Sequence, residues 1–194
     1  AFFYPNFHPD VHSFSFDPTN PNKMWWGNDG GLYYTSDIRN NSYAQFFPWE
    51  DKNNGYNVTQ FYHLSVPDEP NDTRIMGGTQ DNGTPYFTFD GTNSTPFRDV
   101  SLGDGSYSYF GKNFAYVSAQ NGHLMRNHYD QNNNVQFAYT NPYSVITPTG
   151  SANQLFVNPF VVDPNNEDVM YYPAGNVIWR NTQLSQIPDN VQGT

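Results

Sequence analysis

The sequence contains no cysteine and little charge. Charged residues make up 13% of its 194 residues, and only eight are Lys or Arg. Without cysteine, disulfides and thiolate metal sites are excluded. The few cations are scattered singly and the net charge is −10. A basic stripe that would neutralise phosphates is therefore missing, so nucleic acid and anionic membrane surfaces are poor partners.

Long apolar runs and helical periodicity are also missing. No segment approaches the run of about 18 apolar residues that a transmembrane helix needs, and no window places apolar residues at helical spacing for long enough to predict a helix. Aromatic residues make up 18% of the chain instead, and Gly and Pro number 15 each. Because aromatics favour pleated surfaces while Gly and Pro mark turns, the composition predicts an all-β fold with many strands.

These strands follow a repeated pattern. A short strand, an Asp/Pro/Asn turn, a second strand, a tight turn with glycine and a third strand recur four times along the chain. In the first copy the strand 12–16 precedes the turn 17–22, and the tight turn is 28–31. The turn glycines Gly30, Gly83, Gly122 and Gly175 have spacings that bracket the period of about 40 to 50 residues typical of β-propeller blades.

We therefore predict about four consecutive four-stranded blades of a β-propeller. Their approximate ranges are 8–55, 56–102, 103–152 and 153–194. The innermost strands are expected at 12–16, 61–66 and 160–162, and outer fourth strands at 44–47, 97–100 and 135–139. Since propellers close with about four to eight blades, we expect the segment to be a fragment of a larger propeller and the remaining blades to be partners. A β-sandwich is the alternative fold.

Two segments carry a family resemblance. Residues 12–37 include Asp17-Pro18 and Asn28-Asp29-Gly30-Gly31, and residues 59–84 include Gln80-Asp81-Asn82-Gly83. They resemble exported Asp-box (BNR-like, sortilin-type) β-propeller repeat proteins, with the similarity concentrated in residues 8–87. The family's box, Ser/Thr-x-Asp-x-Gly-x-x-Trp, is recognisable at Thr35-Ser36-Asp37 but lacks its glycine, and Trp49 follows only after an insertion.

The resemblance implies a secreted or cell-surface protein of the kind that Bacteroidetes export by type IX secretion. In that family the box is a fold marker, because its Asp bonds turn backbone groups and its Trp packs between strands. The first functional hypothesis is a non-catalytic scaffold or binding module for protein or glycan. The alternative is part of a glycoside hydrolase, similar to xyloglucan-cleaving propellers, whose other catalytic residues lie outside this segment.

Polar residues are expected to meet at one mouth of the predicted propeller. One group precedes the first strand, and the others occupy the turns between second and third strands, which return to the same face. These predicted ligand-binding residues are His8, Asp10, His12, Asn28, Asp29, Gln80, Asp81, Asn82, Gln120 and Asn121.

Two of these groups raise questions of chemistry. In an extended chain His8, Asp10 and His12 point to one side and could ligate Zn²⁺ or another divalent metal. The other interpretation is that these three side chains form hydrogen bonds with backbone groups of the loop. In that case no cofactor is expected. Asp29 and Asp81 could be the paired carboxylates of a glycosidase. Because Asn-Asp-Gly-Gly and Asp-Asn-Gly are also sequences that tight turns require, we assign them to turns and no residue to catalysis.

Overall fold

The computed structural model describes residues 8, 10–39, 49–55, 59–137 and 144–191. In these ranges the protein is all-β, as the composition predicts. The strands are β1 (Val11–Asp17), β2 (Asn20–Asn28), β3 (Gly31–Thr35), β4 (Glu50–Asp51), β5 (Phe61–Ser65), β6 (Arg74–Thr79), β7 (Pro85–Thr88), β8 (Arg98–Asp99), β9 (Gly105–Phe110), β10 (Ala115–Ala119), β11 (His123–Asn127), β12 (Ser144–Val145), β13 (Val161–Asp163), β14 (Asn166–Ala174) and β15 (Val177–Asn181). Short 3-10 turns span Gln120–Gly122 and Leu184–Gln186. Within the described ranges no helix has the length and apolar character needed to span a membrane.

The strands form four antiparallel sheets, and in each sheet neighbours in space are neighbours in sequence. The first sheet, β1 to β4, belongs to a compact unit of residues 1–58, and the other three belong to a second unit of residues 59–194. In the first sheet Trp25 pairs with Tyr34 and Trp26 with Tyr33. Adjacent strand residues point to opposite faces, so the two tryptophans lie on different faces of this sheet.

In the second unit the sheet β9 to β12 buries both of its faces. Val117 of β10 packs in a cluster with Met76 and Tyr86 of the sheet β5 to β8. Its neighbour Tyr116 points the other way and packs with Met170 of the sheet β13 to β15. The alternation along β10 thus holds the three sheets in a stack with an apolar layer on each side of the middle sheet.

Two hairpins with the sequence Asp-Pro-x-Asn are built in the same way. At the end of β1 the carboxylate of Asp17 accepts the amide of Thr19 at 2.8 Å, and at the end of β13 that of Asp163 accepts the amide of Asn165 at 2.9 Å. The next Asn in each hairpin makes the same kind of bond: Oδ1 of Asn20 accepts the amide of Asn22, and Oδ1 of Asn166 accepts the amide of Asp168. These Asx turns are what Asp and Asn favour at strand ends.

The outer strands of the sheets differ most from expectation. The strand predicted at 97–100 is present as β8, whereas 44–47 lies outside the described residues and β4 is the observed fourth strand of the first sheet. The strand predicted at 135–139 is wrong for its described part, because Val135 forms only an isolated bridge with Tyr129. There the carboxylate of Asp130 accepts the amides of Asn132 and Asn134 and closes a tight turn. The fourth strand of that sheet is β12.

Candidate functional site

A single backbone hydrogen bond recurs in three of the sheets. The residue that directly follows the second strand donates its amide to the carbonyl of the residue that directly precedes the first strand. The pairs are Asp29 to Asp10 at 3.4 Å, Gln80 to Gln60 at 3.0 Å and Gln120 to Asp104 at 2.9 Å. Each sheet therefore presents its second turn and the entry to its first strand along one edge, which is where the predicted site residues lie.

In the second unit hydrogen bonds join the edges of two neighbouring sheets. The carboxylate of Asp104 accepts the amide of Asp81 at 2.9 Å, and the amide of Asp104 donates to Oε1 of Gln120 at 3.0 Å. The structure thus brings the predicted residues of the β6–β7 and β10–β11 turns together. We call residues 80–83, 103–105 and 120–122 the polar edge.

The turns of the polar edge depend on residues that tolerate a left-handed backbone. Asp81 has φ of 61° and Asn121 has φ of 58°, a region in which Asp and Asn are enriched among residues other than glycine. Within these turns the side chains of Gln80, Asn82 and Asn121 are exposed to solvent. The backbone fixes the turns, and amide side chains provide the outer surface.

Asp104 is a residue of this edge that sequence reasoning missed. It precedes β9 as Asp10 precedes β1, and the sequence Gly103-Asp104-Gly105 marks a turn, which is the signal that could have identified it. Its carboxylate acts on Tyr62. Burial is the main cause that raises the pKa of Tyr62, and the negative charges of Asp104 and Asp81 raise it further. The polar edge is therefore electronegative around a phenol ring.

The edge of the first sheet brings histidine and aspartate together. Nδ1 of His8 lies 3.7 Å from Oδ2 of Asp10 and 4.0 Å from Oδ2 of Asp29. Nε2 of His12 contacts the other carboxylate oxygen, Oδ1 of Asp29. Of the trio His8, Asp10 and His12, the first two therefore belong to one cluster with Asp29, and His12 reaches that cluster through Asp29.

Asn28 supports this cluster through its amide side chain. Its Nδ2 donates to the carbonyl of His8 at 2.9 Å, and its Oδ1 accepts the amide of Gly30 at 2.9 Å. The Asx bond in this turn is thus made by Asn28, while the carboxylate of Asp29 is directed towards the two histidines. This edge and the polar edge belong to separate compact units and are described one by one.

In the segment that resembles an Asp box, Asp37 and Trp49 make local contacts. Oδ1 of Asp37 accepts the amide of Arg39 at 3.1 Å, and the ring of Trp49 packs edge-on against Trp26 with centroids 5.0 Å apart. No protein-family model, curated protein or solved structure matches the chain. The family resemblance of residues 8–87 therefore stays a hypothesis.

Proposed function

We propose that this chain consists of consecutive blades of an Asp-box type β-propeller, secreted or exposed at the cell surface, that acts as a binding module. Three features support the fold. Each sheet is an antiparallel meander in sequence order, three sheets stack face to face, and the bond between second turn and first strand recurs from sheet to sheet. Repeated stacked meanders are the construction of a propeller.

The sheet β13 to β15 supports further blades beyond it. It has three described strands where the others have four. Val161, Tyr171 and Ile178 are 59%, 39% and 72% exposed, and β14 pairs Tyr171 with Val161. An apolar sheet face of this kind is normally covered, and another blade of the same propeller is the proposed cover.

One observation carries the binding function, namely the construction of the polar edge. Its turns bond to one another through backbone groups and through Asp104, so the exposed amides of Gln80, Asn82 and Asn121 stand on a fixed support. An amide side chain both donates and accepts hydrogen bonds, which suits the hydroxyl groups of a sugar. Tyr62 adds a ring beside them. We propose a neutral glycan as the ligand.

A pair of matched double variants tests the proposal on a glycan array and by titration of the strongest ligand. Gln80→Ala with Asn82→Ala removes two exposed amides without touching a left-handed position and should weaken binding about 10- to 30-fold, because each neutral hydrogen bond contributes about 1 kcal/mol. Asn165→Ala with Gln186→Ala removes exposed amides that lie outside the turns between second and third strands and should leave affinity unchanged. Equal loss in both double variants, or a ligand that is a protein and no glycan, would contradict the proposal.

A further inference from the structure

The histidine and aspartate cluster of the first sheet takes no part in the proposed glycan binding. One ligand atom from each of His8, Asp10 and Asp29 lies within 4.8 Å of the other two. These residues come from two separate segments, the chain before β1 and the turn between β2 and β3. Imidazole nitrogen with carboxylate oxygen is a ligand set for transition metals, whereas Ca²⁺ and Mg²⁺ take oxygen ligands.

The distances from His8 to the two carboxylates are close to those of a small-cation site. Zn²⁺ binds nitrogen and oxygen at about 2.0 to 2.2 Å, so neighbouring ligands of a tetrahedral site lie about 3.4 Å apart. Nδ1 of His8 lies 3.7 and 4.0 Å from the carboxylate oxygens of Asp10 and Asp29. These two distances need to shorten by only about 0.3 to 0.6 Å to reach that value, and the carboxylate oxygens of Asp10 and Asp29 lie within 4.8 Å of each other.

The two carboxylates of the cluster favour a cation between these groups. They lie beside the imidazole of His8 in a partly buried place, because the side chains of His8 and Asp29 are only 18% and 17% exposed. Like charges this close to each other are unfavourable, and a divalent cation between the two carboxylates would make the arrangement attractive.

The surrounding residues fix the ligands in place. Asn28 holds the carbonyl of His8, and the amide of Asp29 donates to the carbonyl of Asp10. A side chain at Gly30 would place its Cβ 2.9 Å from that of His8. His12 contacts Oδ1 of Asp29, whereas the distance from His8 is to Oδ2. His12 is thus an outer partner of the kind that orients metal ligands. Asp10 is 67% exposed, which leaves a path for the ion.

We propose that His8 Nδ1, Asp10 and Asp29 bind a divalent transition metal, with Zn²⁺ the best match, and that His12 orients Asp29. Water completes the coordination. The ion joins the chain before β1 to the β2–β3 turn and so staples the first sheet at its edge. This site does not depend on the glycan-binding proposal.

Titration of the full, tag-free chain with Zn²⁺ and Co²⁺ after treatment with chelator tests the site. One equivalent should bind, Co²⁺ should give the visible bands of a low-coordinate site with nitrogen, and Zn²⁺ should raise the melting temperature of the first unit. Asp10→Asn and Asp29→Asn should each weaken binding at least tenfold. His12→Gln should weaken it about 10- to 100-fold, as loss of outer partners does elsewhere.

Two variants outside the cluster, His123→Gln and Asp68→Asn, serve as matched controls and should bind as the parent does. Asp10 is exposed and lies outside the strands, so Asp10→Asn keeps the test valid even if another variant fails to fold. Absence of Zn²⁺ binding in the folded parent would overturn the site. Binding with unchanged affinity in Asp10→Asn and Asp29→Asn would overturn it as well.

Discussion

Arg126 shows how a single residue fixes a distant segment. It is 1% exposed, and its guanidinium donates to the carbonyls of Leu184 at 3.0 Å and Ile187 at 2.9 Å. It also pairs with Asp189 at 2.7 Å and lies over the ring of Phe114. The segment after β15 is thereby tied to β11, because it supplies the acceptors that a buried cation requires.

Replacing Arg126 with Ala should lower the free energy of unfolding of the second unit by about 3 kcal/mol, since several buried acceptors lose their donor and a packed side chain is lost. Lys112→Ala removes the same charge at an exposed position and should cost no more than about 0.5 kcal/mol. Urea denaturation of both variants measures the difference. Similar losses in the two variants would mean that the contacts of Arg126 contribute little.

At this scale the sequence predicts turn residues better than tertiary partners. The turns around Asp29 and Asp81 are recognisable because their conformations depend on a few neighbouring residues. The contact of Asp29 with His8, and the role of Asp104 between two sheets, depend on residues more than 15 positions away. Gly103-Asp104-Gly105 marks a turn locally, but no local pattern shows that Asp104 joins two sheets or that Asp29, in place of His12, completes the trio with His8 and Asp10.

At the scale of elements, two strands approach each other so closely that glycine is required. A Cβ on Gly78 of β6 would overlap the backbone of Ser106 in β9. Alongside, the hydroxyl of Ser108 donates to the carbonyl of Met76 at 3.3 Å, and the hydroxyl of Ser65 accepts the amide of Phe110 at 3.3 Å. The sheets β5 to β8 and β9 to β12 therefore meet through backbone as well as through their apolar faces.

Gly78→Ala should lower the stability of the second unit by about 3 kcal/mol, because rigid backbone would have to move to admit the methyl group. Gly91→Ala is the control. Gly91 has φ of 93° but no atom within 4 Å of its Cβ position, so its cost should be backbone strain of about 1 kcal/mol. Denaturation midpoints compare them, and a smaller loss at Gly78 than at Gly91 would contradict close packing.

The strands themselves were predictable to different degrees. The first strands of three sheets carry aromatic or β-branched residues next to turn signals. The observed bounds of β1, β5 and β13 lie within one residue of the predicted 12–16, 61–66 and 160–162. The fourth strands β4, β8 and β12 have two residues each, too few to show an alternating pattern. Their position is decided by pairing with the third strand, which explains why the prediction at 135–139 failed.

At the scale of the whole molecule, the free energy of unfolding should depend on pH in two separate ranges, one set by carboxylates and one by histidines. The hydrogen bond from Arg74 lowers the pKa of Asp72, and the hydrogen bond with His128, followed by that from Arg126, lowers the pKa of Asp189. A carboxyl whose pKa is lower in the folded state stabilises above its unfolded pKa of about 4. That contribution is lost as the pH falls further.

Half-buried histidines should weaken the second unit in milder acid. Burial lowers the pKa of His63 and of His123 below the ordinary 6.5. His63 stacks on Tyr107 with centroids 4.3 Å apart, and its Nδ1 accepts the amide of Ser108 at 3.4 Å, which protonation would prevent. Below about pH 6.5 the unfolded chain binds protons that the folded chain does not, so stability is greatest above that pH and falls as the pH decreases.

The measurement is hydrogen exchange of the β10 amides in increasing urea, followed by mass spectrometry and corrected for intrinsic exchange rates. The urea concentration at which these amides become exchangeable should be lower at pH 5 than at pH 7.5. His63→Asn with His123→Gln should flatten this difference, since an amide oxygen at position 63 can still accept the bond from Ser108 and neither new side chain titrates. The further loss below about pH 4 comes from the carboxylates, so it should remain in the double variant. If the double variant loses as much stability between pH 7.5 and 5 as the parent, groups other than these two histidines must bind the protons that weaken the stacked sheets.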